Sequence, residues 1–277
     1  MSKRTPLSIR WRRLLRFAVA LAALPAGLAI PGAPAQAGEV QDRVQASGAV
    51  RVCIWPQYQG ITWRDPRTGQ LQGLDIDMAR ALAGELHMTL QFIDSSFPDL
   101  VPDLLHGRCD VAMFGVAMLP QRMEKLAFTA PYLQGDIHAI TTRTSRLVRQ
   151  WSDIDQSGVV VGVQAGTFME SAMRERLRQA TLAVVAPPHT RERELLAGRI
   201  DVFMTDYPYG QHLLASADWA TLLAPPQSFF PLPYAYAVRP GDAQWMATLD
   251  AFVTRIRQDG RLRAAARRHG LEGMLAR

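Results

Sequence analysis

Histidine and cysteine are scarce in this chain of 277 residues, which contains six histidines and two cysteines. The histidines are scattered and show no H-x-x-x-H spacing, so we expect neither a bound metal ion nor another cofactor. The order of residues along the chain also provides no Ser-His-Asp or Cys-His arrangement, which argues against nucleophilic catalysis. We therefore interpret the histidines as surface or helix-cap residues.

The chain also lacks an excess of positive charge once its first 37 residues are set aside. Those residues contain no acidic side chain and carry six of the 31 lysines and arginines, namely Lys3, Arg4, Arg10, Arg12, Arg13 and Arg16. The remaining 25 basic residues equal the 25 acidic residues in number. Nucleic-acid binding needs clustered, surplus cations, and the composition therefore excludes it.

The basic residues near the N-terminus belong to a three-part segment. They are followed by the apolar run 17–30 and then by Ala35-Gln36-Ala37. This order predicts a signal peptide over residues 1–37 that is cleaved before Gly38. Arg12-Arg13 fits twin-arginine export, and ordinary Sec export fits equally well. Because the residue directly after the cleavage site is Gly38 and not a cysteine, we predict a soluble protein of the periplasm and not a lipoprotein.

The two cysteines fall on or beside predicted strands of the same half of the chain. An exported protein can pair Cys53 with Cys109, because its compartment is oxidising. Adjacent parallel strands, however, rarely offer the geometry of a disulfide, and buried free cysteines behave as small apolar residues. We predict that the two thiols remain unpaired.

One segment of the chain occurs twice. Residues 104–113 read LLHGRCDVAM, and residues 195–204 read LLAGRIDVFM. Each copy predicts the end of a helix, a glycine in the left-handed conformation, and an apolar strand entered through an Arg-x-Asp turn. We infer that one supersecondary unit has been used twice and that the chain folds into two lobes.

Opposite charges follow the two copies. Arg122 ends the segment 115–122 after the first strand, and Asp206 comes soon after the second. Ligands of open α/β sheets bind beyond the carboxyl ends of the strands. A cation from one lobe and a carboxylate from the other would hold a zwitterion between them. For each charge taken alone, a surface ion is the competing interpretation.

Apolar runs and helical periodicity predict a β-α-β-α-β series in each half of the chain. The predicted strands are residues 49–54, 89–93, the first copy of the repeat, 137–142, 159–164, 182–185, 202–204 and 234–238. The predicted helices begin at Asp75 or cover residues 97–106, 168–179, 242–260 and 262–269. We expect each lobe to be a mostly parallel sheet flanked by helices, with the last strand and helices returning to the first lobe.

Six motifs occur in the order found in the solute-binding proteins of amino-acid importers. They are Tyr58, Gly73-Leu74-Asp75-Ile76-Asp77-Met78, the segment 115–122, Phe128-Thr129-Ala130-Pro131-Tyr132, Val163-Gln164-Ala165-Gly166-Thr167 and Pro233-Tyr234-Ala235-Tyr236-Ala237-Val238-Arg239. Over residues 49–274 the chain resembles family 3 of the bacterial solute-binding proteins of ABC transporters. The resemblance implies the two-lobed type II periplasmic-binding fold with two hinge crossovers. Lobe 1 would comprise residues 38–136 and the return segment 231–277, and lobe 2 residues 137–230.

The resemblance also implies a function and a ligand site. The protein would capture a small amino acid or related carboxylate by closing its lobes and would deliver it, as a monomer, to a membrane permease. Arg122 would bind the α-carboxylate, Asp206 the α-ammonium, and Tyr58 and Phe97 would sandwich the side chain. The implied binding residues are Tyr58, Phe97, Gly115, Ala117, Arg122, Gly166, Thr167 and Asp206. The Gly166-Thr167 turn would aim free backbone N–H groups at the carboxylate.

The chain departs from the family pattern at two places. Ala117 and Leu119 occupy positions where the family has hydroxyl side chains, so a carboxylate bound there loses donors. Each neutral hydrogen bond contributes about 0.5–1.5 kcal/mol, which weakens the site without abolishing it. Trp55 stands three residues before Tyr58, where binders of lysine- or arginine-like ligands often place a carboxylate. We therefore do not expect a ligand with a cationic side chain.

Two other classes of protein remain as alternatives. A few exported proteins of this fold are hydro-lyases that act on prephenate- or arogenate-like acids and need a general acid or base beside the arginine. Glu170 and Asp206 are the acidic candidates for that role. The third class is the extracellular sensor module, which normally continues into a membrane span.

Overall fold

The computed structural model describes residues 38–276. The signal peptide predicted over residues 1–37 lies outside the described residues, so the signal and its cleavage before Gly38 remain predictions. Within the described range, no helix is both long enough and apolar enough to cross a membrane.

The first half of the described chain begins with a short helix and then alternates strands with helices. Its elements are α1 (Glu39–Ser47), β1 (Ala49–Ile54), β2 (Gln57–Tyr58), β3 (Thr62–Arg64), β4 (Leu71–Gln72), α2 (Leu74–Leu86), β5 (Thr89–Asp94), α3 (Leu100–Leu105), β6 (Val111–Ala117), α4 (Pro120–Met123), β7 (Ala127–Phe128) and β8 (Leu133–Gly135).

The second half repeats the alternation and ends in two helices. Its elements are β9 (Ile137–Thr142), β10 (Val160–Gln164), α5 (Phe168–Arg176), β11 (Thr181–Val185), α6 (Arg191–Leu196), β12 (Val202–Asp206), α7 (Tyr207–Ser216), β13 (Ala220–Leu223), β14 (Leu232–Val238), α8 (Ala243–Gln258) and α9 (Arg261–Arg268). Single 3₁₀ turns lie at Trp151–Asp153 and Glu272–Met274.

The strands form two main sheets with matching topology. The first sheet has the order β5-β1-β6-β14-β7, with β8 also paired to β14, and the second has the order β11-β10-β12-β9-β13. In each sheet three parallel strands are followed by an antiparallel neighbour, which is β14 in the first and β9 in the second. The predicted architecture of two helix-flanked α/β sheets is therefore confirmed.

The chain passes between the two sheets twice. It leaves the first sheet after β8 and enters the second at β9, and it returns from β13 to β14. Helix α8 then packs on the first sheet, where the buried Trp245 donates its indole N–H to the backbone oxygen of Asp110 at 2.8 Å. The predicted return of the last strand and helices to the first sheet is thus observed.

In both copies of the repeated unit, a glycine in the left-handed conformation follows the helix and terminates it. Gly107 follows α3 and Gly198 follows α6, and both have φ of 67°. This left-handed conformation is unfavourable for residues with a Cβ, so the glycines terminate the helices as predicted. Gly73, before α2, has a different constraint, because a Cβ there would lie 2.3 Å from the backbone oxygen of Ile61.

The prediction of unpaired thiols is wrong. Cys53 and Cys109 form a disulfide, with their Cα atoms 5.5 Å apart. Cys53 lies on β1, but Cys109 lies in the turn before β6, which begins only at Val111. The pleat of a neighbouring strand therefore does not fix the side-chain direction of Cys109, and the geometric objection does not apply.

Several short elements were not predicted. The ribbon β2-β3-β4 consists of strands of two or three residues, which are too short to show a hydrophobic period. Helix α7 contains Pro208 and Gly210, both poor helix formers, although Asp206 caps it through the Tyr209 N–H. Helix α1 also went unpredicted, and α5 ends at Arg176 instead of residue 179.

Candidate functional site

A cavity lies between the two sheets, where β1, β6 and β12 end. Its wall on the first-sheet side is formed by Trp55, Tyr58, Phe97 and Gly115. Its wall on the second-sheet side is formed by Thr167, Phe168, Met169, Arg191, Thr205, Asp206 and Tyr209. Five of the predicted binding residues thus meet in this wall. The other three do not line it, and among them Arg122 donates to the backbone oxygens of Ala117 and Gly166.

Asp206 is the buried carboxyl group of the cavity. One of its oxygens, Oδ1, accepts the backbone N–H of Tyr209 at 3.2 Å. The other, Oδ2, accepts the hydroxyl groups of Tyr58 and, at 3.2 Å, Tyr234, both of which belong to the first-sheet side. Burial raises the pKa of Asp206, although the hydrogen bonds and the charge of Arg191 act in the opposite direction. A carboxylate offers about four acceptor positions, so these three donors leave room for one more.

Arg122 lies in the short helix α4 and is 6% exposed. Its Nη1 donates to the backbone oxygen of Ala117 at 3.1 Å, and its Nη2 donates to the backbone oxygen of Gly166 at 2.8 Å. The second of these bonds joins the two lobes. Burial lowers the pKa of Arg122 to about 10, so the guanidinium remains charged at neutral pH.

The aromatic residues of the first-sheet wall contact one another. The ring centroids of Tyr58 and Phe97 are 6.0 Å apart, with an angle of 67° between the planes. Trp55 contacts both rings, with centroid distances of 5.4 Å to Tyr58 and 5.2 Å to Phe97. In this conformation the rings meet edge to face, and a ligand side chain sandwiched between Tyr58 and Phe97 would require them to separate.

The Gly166-Thr167 turn approaches the first lobe closely. A Cβ at Gly166 would lie 2.8 Å from the backbone nitrogen of Pro98. The backbone N–H of Gly166 donates to Glu170 Oε2 at 2.9 Å, and the hydroxyl of Thr167 donates to the backbone oxygen of Gln164 at 2.7 Å. The N–H group that the sequence led us to expect free for an anion is therefore occupied by Glu170 in this conformation.

Glu170 itself does not line the cavity. It also pairs with Arg174, one turn further along α5, at 2.9 Å. Of the two acidic candidates for acid or base catalysis, only Asp206 is in the wall. Residues 38–276 contain no group of three or more His, Cys, Asp or Glu side chains that could hold a metal ion.

Sequence reasoning missed several residues of the wall, among them Arg191 and Thr205. A signal for Arg191 was present, because it stands four residues before the buried Leu195 and therefore on the same face of α6. A cation on the buried face of a helix is unusual and marks a position of interest. Thr205 gave no such signal, since it is one residue of a buried strand.

Comparison with known proteins gives both a family and a fold. Residues 50–272 match the profile of the family described as "Bacterial extracellular solute-binding proteins, family 3". A solved structure of an ancestral amino acid-binding protein, described as a precursor of cyclohexadienyl dehydratase, superposes with a TM-score of 0.73 at 26% identity and covers 82% of this chain and 97% of that one. The predicted type II periplasmic-binding fold is thereby confirmed.

Two curated relatives differ in what they do. A cyclohexadienyl dehydratase of Pseudomonas aeruginosa is 32% identical over 166 residues, which cover 60% of this chain and 62% of the relative. The match therefore spans less than two thirds of that protein. The L-cystine-binding protein TcyJ of Escherichia coli (strain K12) is 23% identical over 80% of this chain and 83% of its own length.

Proposed function

Because the chain belongs to family 3 of the bacterial extracellular solute-binding proteins, we propose that it captures a small amino acid or a related carboxylate between its lobes. The closed complex then delivers the ligand to the membrane permease of an ABC importer. Binding relatives such as the L-cystine-binding protein support this over an enzymatic role.

The placement of opposite charges at equivalent strand ends is the observation that carries the proposal. Arg122 follows β6 and Asp206 ends β12, and each of these strands lies beside the antiparallel strand of its sheet. A guanidinium matches a carboxylate with two parallel hydrogen bonds, and a carboxylate accepts an ammonium group. Arg122 would bind the ligand carboxylate, and Asp206 would bind the ligand ammonium at its remaining acceptor position.

Contacts between the lobes explain how binding drives closure. Arg122 bonds to the Gly166 oxygen, and Asp206 bonds to Tyr58 and Tyr234, so both charged groups already make contacts between the lobes. A ligand that contacts groups of both lobes gains contacts only in the closed state. Its affinity therefore differs between the open and closed states, and this difference shifts the equilibrium towards closure.

The proposal includes the protein's location and organisation. Residues 1–37 are removed on export, and the protein works as a monomer in the periplasm without a lipid anchor. The lobes divide at residues 136/137 and 230/231, next to the two passages of the chain between the sheets.

The test is a thermal-shift screen of amino acids and related acids, followed by calorimetry on the ligands that raise the melting temperature. Arg122→Ala removes a charge-assisted hydrogen bond of about 1.5–3 kcal/mol, so affinity should fall at least tenfold. Asp206→Asn should lower the affinity for amino acids and leave the affinity for ligands without an ammonium group unchanged. Lys125→Ala, an exposed cation three residues from Arg122, is the matched control and should bind normally.

Small-angle scattering on the same samples reports closure. The wild type should become more compact when ligand is added, and Arg122→Ala should need at least tenfold more ligand for the same change. An Arg122→Ala variant that binds and closes like the wild type would contradict the proposal that Arg122 and Asp206 hold the ligand from opposite lobes. A wild type that binds no compound of the screen would contradict the proposed function itself.

A second candidate function is a hydro-lyase acting on prephenate or arogenate. The carboxyl group of Asp206 in the cavity wall favours it, because general-acid catalysis needs such a group beside the substrate and burial raises the pKa of Asp206. Steady-state assays with both substrates decide the matter. Turnover that disappears in Asp206→Asn would establish the enzyme, and binding without turnover would exclude it.

A further inference from the structure

Arg191 is a buried cation in the second-sheet wall of the cavity. It is the first residue of α6 and is 4% exposed. Neither the duplicated unit nor the family motifs assign it a role. Of the two buried arginines near the cavity, Arg191 lines it and Arg122 does not.

The protein only partly satisfies the Arg191 side chain. Its Nη1 donates to the backbone oxygen of Met204 at 2.7 Å, and its guanidinium carbon lies 5.0 Å and 4.6 Å from the ring centroids of Phe203 and Tyr209. Its Nε has no hydrogen-bond partner. Within residues 38–276, no carboxylate lies within salt-bridge distance of its guanidinium, although the opposite charge of Asp206 acts on it. A buried guanidinium with a free donor is costly unless a further acceptor binds it.

Thr205 provides a second unpartnered group in the same wall. Its side chain is 1% exposed, and its Oγ1 has no hydrogen-bond partner. Thr205 directly precedes Asp206 on β12 and comes directly after Met204, whose backbone oxygen binds Arg191. Arg191 and Thr205 therefore present two unused hydrogen-bonding groups to the cavity on its second-sheet side.

The opposite wall has a different chemistry. Trp55, Tyr58 and Phe97 offer mainly aromatic surface there. If Arg122 takes the α-carboxylate of the ligand and Asp206 its ammonium group, the Nε of Arg191 and the Oγ1 of Thr205 remain without a hydrogen-bond partner. The group that suits a guanidinium and a hydroxyl together is an anionic oxygen acceptor.

We propose that the ligand is an amino acid with a second carboxylate on its side chain, and that Arg191 and Thr205 bind this second carboxylate. The inference rests on the proposed function and specifies its ligand class. It differs from a purely structural role, in which Arg191 only supports the Met204 carbonyl and the neighbouring rings. The two roles predict different ligand preferences, and a charge-matched comparison separates them.

The experiment is calorimetry with pairs of ligands that differ only in side-chain charge. The pairs are L-aspartate with L-asparagine, L-glutamate with L-glutamine, and 4-carboxy-L-phenylalanine with its carboxamide. The wild type should bind the acid of at least one pair at least tenfold more tightly than the amide. The aromatic pair is included because of the aromatic first-sheet wall.

Two variants test the residues. Arg191→Met should lower the affinity for the acid at least tenfold and leave the affinity for the amide within about threefold. Thr205→Val keeps the shape of the side chain and should lower the affinity for the acid several-fold. This variant provides the test if Arg191→Met does not fold. Arg193→Met, an exposed cation two residues along the same helix, is the control and should behave as the wild type.

Each remaining outcome is decisive. A wild type that binds amides as well as acids, or an acid-to-amide ratio unchanged in both variants, would overturn the inference and leave the proposed function intact. A wild type that binds neither this panel nor any compound of the broader screen would overturn the proposed function and this inference with it.

Discussion

The turns that enter β6 and β12 make the same hydrogen bonds in the two lobes. The Asp110 N–H donates to the Arg51 oxygen at 2.8 Å, and the Asp201 N–H donates to the Val160 oxygen at 2.9 Å. The side chains of the same aspartates bond to the same neighbouring residues. Asp110 accepts the Arg51 N–H at 2.7 Å, and Asp201 accepts the Val160 N–H at 2.8 Å. The aspartate of the Arg-x-Asp turn therefore accepts a backbone N–H of the neighbouring strand in both lobes, and neither aspartate lines the cavity.

The arginines of the two turns are equivalent as well. Arg108 pairs with Asp103 of α3, and Arg199 pairs with Glu194 of α6. In both lobes the acidic residue lies five positions before the arginine, so the ion pair links the end of the helix to the turn that follows it. The repeated sequence thus forms a structural connection between helix and strand, and the charged residues Arg122 and Asp206 come after the two copies.

The clearest difference between the lobes is the disulfide. The strand register makes Gly162 on β10 the equivalent of Cys53 on β1, and the repeat makes Ile200 the equivalent of Cys109. A Cβ at Gly162 would lie 2.4 Å from Cδ1 of Ile200. The same space between strand and turn is therefore filled by a covalent bond in lobe 1 and by an isoleucine side chain packed over a glycine in lobe 2.

The largest expected effect comes from removing the bond that distinguishes lobe 1. Replacing both cysteines, by Cys53→Ala with Cys109→Ala, should lower the free energy of unfolding by about 2–5 kcal/mol, because the bridge closes a long loop in the unfolded chain. Urea denaturation of the oxidised proteins measures the loss. The wild type with reductant should match the variant, and reductant should leave the variant unchanged. Equal midpoints for wild type and variant would contradict the expectation.

A smaller effect should follow from giving lobe 2 the same bond. In the variant Gly162→Cys with Ile200→Cys, the matching register should bring the thiols within bonding distance. Its oxidised form should then be more stable than its own reduced form by about 2 kcal/mol, since engineered disulfides often yield less than natural ones. Thiol titration of the denatured, unreduced variant should find no reactive group. The single variant Gly162→Cys should show one, and two free thiols in the double variant would disprove the equivalence.

The two lobes also differ in how they hold a buried carboxyl group. Asp75 accepts the hydroxyl of Tyr132 at 2.6 Å, that of Tyr236 at 3.4 Å, and the Gly115 N–H at 2.8 Å, all on the first-sheet side. Asp206 likewise accepts two tyrosine hydroxyls and one N–H, but both tyrosines come from the opposite lobe. The surroundings of Asp75 are therefore independent of closure, whereas those of Asp206 depend on it.

The smallest expected effect, counted per pH unit, is a pH dependence that comes from Asp75. Burial raises its pKa from 3.8 to about 7. Between these values the folded protein keeps the proton and the unfolded chain releases it, so stability falls as the pH rises, by at most about 1.4 kcal/mol per pH unit. Asp75→Asn cannot lose a proton. Urea unfolding at pH 5, 6 and 7 should therefore show the variant gaining stability relative to the wild type as the pH rises.

The matched control for this pH dependence is Asp218→Asn, which removes an exposed carboxyl group of lobe 2. Its stability relative to the wild type should stay constant over the same range. A constant difference for Asp75→Asn as well would show that the group releases its proton at the same pH in the folded and unfolded states.

Much of the fold followed from the sequence. Strands β1 and β9 begin and end at the predicted residues, because continuous apolar runs bounded by turn residues mark a buried strand. Gly107 and Gly198 also marked the helix ends correctly. The ribbon β2-β3-β4 and helix α7 could not be predicted in this way, because contacts with distant residues stabilise them against weak or unfavourable local preferences.

For the site, the sequence by itself determined that Tyr58, Phe97, Gly115, Thr167 and Asp206 belong near strand ends, since neighbours along the chain fix where a strand stops. Only the tertiary structure decided which groups meet. Asp206 receives the hydroxyl of Tyr58 from 148 positions away, and Arg122 reaches the oxygen of Gly166 from 44 positions away. Arg191 and Thr205 come together with the aromatic wall of the other lobe in the same manner. Such contacts depend on how two sheets are oriented, and no local preference of the chain specifies that orientation.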